Sequence, residues 1–207
     1  MPKVLFPLLT LTALAGLVAF WPESASVSQE PIVTETPVAE RAVITPVTTA
    51  GDRMSHPPIR QTFTAGPYQL VVEAENQWET PVATSEFYQG GTLLWEKDLP
   101  HQYGPRFSLV SAQGQVLLLD EFINVASPHA LTLLNVEGET LIQKSFEDIQ
   151  AALGVTPAEL TAQATSGWWI SSPPAIAPGG ETALVQTGGT TLEINLNTGE
   201  LSRRADL

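Results

Sequence analysis

The sequence predicts a mainly β domain built of antiparallel meander repeats, arranged as an irregular sandwich or an incomplete ring, with a short two-helix insertion. Three observations predict it. Short apolar runs alternate with Gly, Asn and Pro at close intervals from residue 61 to the C-terminus. One strand-and-turn pattern recurs along that stretch. Between Ser145 and Ala164 the strand signals give way to two helix-start signatures.

Residues 1–26 read as an export segment. Lys3 is the only charge before Glu23, so residues 4–20 form an uncharged apolar stretch. A basic start followed by an apolar segment is the plan of a secretory signal. The stretch is also just long enough to cross about 30 Å of hydrocarbon. Ser24-Ala25-Ser26 supplies small residues for cleavage before Val27, whereas Trp21 would anchor a retained segment at the interface. Signal peptide and N-terminal membrane anchor both stand. In either case Lys3 stays cytoplasmic and the rest lies in the periplasm or at the extracytoplasmic face of the cytoplasmic membrane. Residues 27–60 carry Pro31, Pro37, Pro46, Pro57 and Pro58 and no aromatic residue. Proline withholds backbone donors and favours extended chain, so this Pro/Thr-rich segment reads as a linker.

Composition removes several functions. The 207 residues include no Cys, which excludes disulfides, thiolate metal sites and thiol nucleophiles. Nine Lys and Arg against 22 Asp and Glu leave no basic stripe for a phosphate backbone, so nucleic acid is not an expected partner. Residues 61–207 alone hold 17 acidic and 5 basic side chains. That balance opposes docking on anionic lipid, which leaves the N-terminal segment as the only expected membrane contact.

Within the β-repeat domain, residues 61–207, strands are expected at 68–74, 92–99, 107–110, 115–120, 130–136, 140–145, 167–171, 183–187, 191–196 and 201–203. The Gly-containing turns at 113–114, 137–138, 179–180, 188–189 and 198–199 supply hairpin geometry. Val116-Leu117-Leu118-Leu119 and Leu131-Thr132-Leu133-Leu134 are nearly continuous apolar runs, as expected of strands covered on both faces. Ser145 with Asp148, and Thr156 with Glu159, have capping-box spacing. They open helices at 146–153 and 157–164, broken at Gly154, with Ile149, Leu153 and Leu160 facing the core. Trp95 reads as core, in register with Leu93 and Leu99, and Phe87-Tyr88 as loop.

The repeat has one copy opening at Pro105 and another at Pro174. Leu131–Asn135 with Gly138-Glu139 matches Leu192–Asn195 with Gly199-Glu200, and a third, degenerate copy runs from Tyr68 to Leu99. These openings, with Gly91-x-x-x-Trp95, resemble β-propeller-type repeat blades, the latter being similar to the blade ending of quinoprotein-like propellers. The stretch Leu94-Trp95-Glu96-Lys97-Asp98-Leu99 through Leu119-Asp120-Glu121 resembles a group of uncharacterised exported bacterial proteins. The resemblance spans about residues 66–205 and implies an incomplete propeller-like array. Three copies fall short of the four or more blades of a closed propeller. Ile142 and Arg203 stand where the later copies would carry the Trp. No cofactor and no active site are carried over. Open sheet edges leave room for a partner or for self-association.

The chemistry-bearing residues are few. His56 lies in the linker. His101 and His129 follow strands, near Asp98 and Asp120-Glu121, which admits a His–His–carboxylate set but shows no dense ligand spacing, so no metal site is assigned. Ser127 and His129 are too close in sequence for a nucleophile–base pair, and no Gly-x-Ser-x-Gly elbow occurs. Asp120-Glu121 through Asn124 lacks the spacing of a calcium loop. Glu147 and Asp148 fit a helix first turn. Trp168-Trp169 would send one ring inward and one outward on a strand. No catalytic residue and no cofactor are assigned; the expected partner surface comprises Trp168, Trp169, Tyr103, Pro128 and His129. The reading is an exported, non-catalytic binding or scaffold module that recognises a protein partner. An accessory subunit of a membrane protein complex, anchored by its N-terminal helix, and an extracytoplasmic hydrolase or metal-dependent enzyme are its alternatives.

Overall fold

A computed structural model describes residues 57–162, 164 and 168–204, all within the second of two compact units, Pro46–Leu207. The export segment and the linker up to residue 56 lie outside the described residues. Among the described residues no helix is long and apolar enough to cross a membrane.

Among the described residues, twelve strands form three antiparallel four-stranded meanders. The first is β1 (Arg60–Ala65), β2 (Tyr68–Ala74), β3 (Ala83–Gln89) and β4 (Thr92–Leu99). The second is β5 (Pro105–Val110), β6 (Val116–Glu121), β7 (Leu131–Leu134) and β8 (Thr140–Lys144). Two helices, α1 (Phe146–Leu153) and α2 (Pro157–Ala162), lead to the third: β9 (Ala175–Ile176), β10 (Thr182–Thr187), β11 (Thr190–Asn195) and β12 (Leu201–Arg203). Within each meander the neighbours in sequence are the neighbours in space.

The apolar patterning explains how the sheets pack. Strand β6 sends Val116 and Leu118 into a core with Leu70, Val72, Ala83, Phe87 and Leu99 of the first sheet. Its alternate residues, Leu117 and Leu119, enter a second core with Ala183, Val185, Leu192 and Ile194 of the third. The middle sheet is therefore buried on both faces, which is why its strands are continuous apolar runs rather than alternating ones. The outer sheets alternate, and their outward faces are largely polar, with Val71 and Leu184 set among the polar residues. Thr64, Gln69, Glu86 and Glu96 line one, and Gln186, Thr191, Glu193 and Ser202 the other.

The helices close the second core with Phe146, Ile149, Leu153 and Leu160. Ser145 and Asp148 form a reciprocal capping box on α1, and Thr156 and Glu159 exchange the equivalent bonds before α2. Each cap satisfies backbone N–H groups that the first helical turn leaves without partners.

A four-residue spacing joins one repeat to the next. Trp95, four residues after Gly91, lies over Gly138, where an added Cβ would stand 2.9 Å from the indole. Its Nε1 donates to the Val136 carbonyl at 3.1 Å, and Lys97 Nζ donates to that of Gly138. Ile142, four residues after Gly138, lies over Gly199 in the same way. Arg203, four after Gly199, is exposed, while nothing lies within 4 Å of a Cβ built at Gly91. Among the described residues, each of the two apolar knobs, Trp95 and Ile142, thus lies over the glycine of the next repeat.

Four expectations are corrected. Phe87 and Tyr88 belong to strand β3, with Phe87 fully buried. Residues 168–170 form no strand, because this segment folds onto the helices instead of pairing in a sheet. A bulge between Phe87 and Tyr88 pairs Leu93 with Tyr88, which turns Leu93 to the solvent face, away from Trp95. Helix α2 ends at Ala162, before residue 164.

Candidate functional site

Strand alternation sorts the connections into two ends. The tight glycine turns β1–β2, β3–β4, β5–β6, β7–β8, β9–β10 and β11–β12 fall at one end. The other end collects residues 75–82, 100–104 and 122–130, both helices, residues 168–174 and the β10–β11 turn. Cross-bonds knit this loop end together. Tyr103 N–H donates to the Pro81 carbonyl at 3.1 Å, and Phe146 N–H to that of Ser127 at 2.9 Å. Thr187 Oγ1 donates to the Trp169 carbonyl at 2.7 Å.

Backbone strain is confined to the same end. Among the described residues, positive φ outside glycine occurs at Asn76 (41°), Gln77 (60°), Trp78 (71°), Tyr103 (60°) and Asp120 (59°). All five lie in the loops or at the strand terminus of the loop end. Asn and Asp tolerate this conformation, whereas Gln77, Trp78 and Tyr103 each pay about 1–2 kcal/mol for it.

The buried polar residues gather here too. Glu121, at the end of β6, uses both carboxylate oxygens as a clamp. Oε1 accepts from Gln102 N–H at 2.6 Å and Oε2 from the Ser127 hydroxyl, while Ser127 Oγ accepts from His129 N–H at 2.8 Å. One carboxylate therefore fixes the loop carrying His101 and the loop carrying His129. The two imidazoles lie 5.4 Å apart between centroids. His101 is fully buried, and neither of its nitrogens has a hydrogen-bond partner; the same holds for His129 Nδ1. Burial, reinforced by the His129 charge, lowers the His101 pKa to about 3, so its ring is neutral at physiological pH.

On the neighbouring strand Arg106 faces Asp120, with side-chain exposures of 6% and 1% and Nε–Oδ2 at 3.7 Å. The guanidinium also lies over the Phe122 ring, 4.7 Å from its centroid. This is an ion pair beyond direct hydrogen-bond distance. Burial pushes the Asp120 pKa up to about 7, against the pull of the Glu121 N–H and the Arg106 charge. Burial likewise lowers the Arg106 pKa, and Asp120 opposes that shift.

These bonds define what the cluster can do. Ser127 donates to Glu121 and accepts from the His129 backbone, so its hydroxyl is not set against an imidazole as a serine nucleophile requires. Glu121 is consumed in holding loops, and Asp148 in capping α1. Among the described residues no three His, Asp or Glu side chains are grouped to hold a metal ion.

The expected partner residues separate by burial. Trp169 is fully buried and Tyr103 is 5% exposed, so neither is a surface contact. Trp169 fills the second core, and Tyr103 packs edge-on against Trp78 at 5.8 Å. Trp168 is half-buried against Phe146, with ring centroids 4.4 Å apart. Pro128 is exposed and His129 half-buried. Through the Phe146–Ser127 bond, Trp168 shares one region with Pro128 and His129. His56 lies outside the described residues. Sequence reasoning missed Val125, a 54%-exposed apolar residue on the β6–β7 loop, and Arg106. The signal for Arg106 was a lone cation within the strand Pro-Arg-Phe-Ser-Leu-Val.

No known protein-family model matches the chain, and no curated protein matches it.

Proposed function

We propose that the protein is an exported module, tethered at or released from the outer face of the cytoplasmic membrane, that recognises a protein partner through the loop end without catalysis of its own. The observation that carries this reading is the segregation of strain. Five non-glycine residues hold left-handed backbone at one end, at a cost in Gln77, Trp78 and Tyr103, whereas tight glycine turns form the other. Stored strain marks surfaces whose geometry is maintained for use. Val125 and Pro128 are exposed there, beside half-buried His129 and Trp168. Aromatic and apolar anchors ringed by polar groups are what a protein interface uses. The basic start and apolar run of residues 1–20 support the export half of the reading.

Photo-crosslinking in the source cell tests it. A photoreactive residue at position 125 or 128 is expected to capture one partner chain, and the same residue at exposed Ala112, in the β5–β6 turn, to capture none. Capture from position 112 alone, or from no position, would overturn the proposal.

A further inference from the structure

We propose that His101 and His129 form a two-imidazole site for a borderline divalent transition ion, Zn²⁺ or Cu²⁺, at the loop end. The site is built rather than incidental. His101 lies between β4 and β5 and His129 between β6 and β7, and nothing local in sequence brings them together. The Glu121 carboxylate does so by bonding Gln102 N–H and Ser127 Oγ, the residue beside one imidazole and the residue that anchors the backbone of the other. These bonds hold the two loops that carry the imidazoles without touching either ring.

The geometry and the chemistry agree. With a metal–nitrogen bond of about 2.0–2.1 Å, an imidazole centroid lies about 3.2 Å from the ion. Two centroids 5.4 Å apart around a shared ion then subtend about 115°, close to a tetrahedral angle. Three ring nitrogens, His101 Nδ1 and Nε2 and His129 Nδ1, are buried without a hydrogen-bond partner. Buried polar atoms are rarely left so, and a neutral imidazole offers one lone pair that an ion can take. His129 reaches partial exposure, so an ion enters from its side and takes its remaining ligands from water. Imidazole donors without thiolate favour Zn²⁺ and Cu²⁺ over Ca²⁺ and Mg²⁺.

The test uses the full chain, stripped with chelator and titrated calorimetrically with Zn²⁺ and, separately, Cu²⁺ in excess Mg²⁺. One equivalent is expected to bind, with nitrogen coupling in the Cu²⁺ paramagnetic resonance spectrum. His129→Ala should weaken binding by about tenfold or more. Ser127→Ala, which frees the β6–β7 loop without removing an imidazole, should weaken it less. His56→Ala should leave it unchanged. His101→Gln disturbs a fully buried position, so the half-exposed His129 carries the test, with circular dichroism confirming that each variant is folded. Absence of saturable binding would overturn the proposal. So would binding that Mg²⁺ abolishes or that His129→Ala leaves intact, since the ion would then sit on surface carboxylates.

Discussion

Substituting Ala at three equivalent glycines separates backbone strain from inter-repeat packing. Gly91, Gly138 and Gly199 have φ of 82°, 80° and 74°, so a Cβ strains the backbone similarly at each, by about 1–2 kcal/mol. Their surroundings differ. At Gly91 the new methyl meets nothing within 4 Å; at Gly138 it stands 2.9 Å from the Trp95 indole; at Gly199 it stands 2.5 Å from Ile142. The indole is held by its bond to Val136 and cannot turn aside without losing it. Overpacking adds about 1–3 kcal/mol. Gly91→Ala should therefore cost about 1–2 kcal/mol, and Gly138→Ala and Gly199→Ala about 2–5 kcal/mol each. Urea unfolding of the full chain, with midpoints compared at constant slope, measures all three. Equal losses at Gly91 and Gly138 would refute the idea that the glycine is a socket for the preceding repeat.

Asp120→Asn keeps the left-handed backbone, which Asn tolerates, and removes an ionisable group. With its pKa raised from 3.8 to about 7, folded Asp120 holds a proton that the unfolded chain has released. Its contribution to stability is thus lost as pH rises from about 4 to 7, by up to about 4 kcal/mol. Relative to the parent, Asp120→Asn should gain stability across that range, and a pH-independent difference in urea midpoints would contradict this. Glu121→Ala should cost about 3 kcal/mol by leaving Gln102 N–H and Ser127 Oγ without their acceptor, and should speed amide exchange at Gln102. Trp169→Ala should cost about 3–5 kcal/mol as a fully buried core residue. Trp168→Ala should cost less and act mainly on partner capture; a loss of stability equal to that of Trp169→Ala would assign it to the core instead.

The middle sheet was legible because its runs, Val-Leu-Leu-Leu and Leu-Thr-Leu-Leu, answer to two cores at once. The capping boxes and glycine turns were legible because their chemistry is local. Strand β3 was not. Its inward residues are Ala83, Ser85 and Phe87, and only the last is a large apolar side chain, so alternation is faint. Strand β1 begins at Arg60, where linker composition still prevails, and β9 is only Ala175–Ile176. The Trp pair gave the right contrast, one ring buried and one partly exposed, for the wrong reason, since no strand holds it. The meeting of His101 with His129 depends on Glu121 reaching two loops, a long-range fact that spacing does not encode. The four-residue knob spacing was visible at Gly91-x-x-x-Trp95, but its partner lies in the next repeat, at Gly138.

We propose that an exported protein presents its loop end to a partner in the envelope. It is tested most directly by purifying the full chain gently from the source cell's envelope, crosslinking it, and reading the mature N-terminus and linked peptides by mass spectrometry. The account predicts an envelope-fraction protein linked to one partner, at defined stoichiometry, through residues 122–130 and Trp168. An N-terminus at Met1 would mean a retained anchor, and one near Val27 a released module. Recovery of the chain from the cytosol, or from the envelope with no partner linked at those residues, would contradict it.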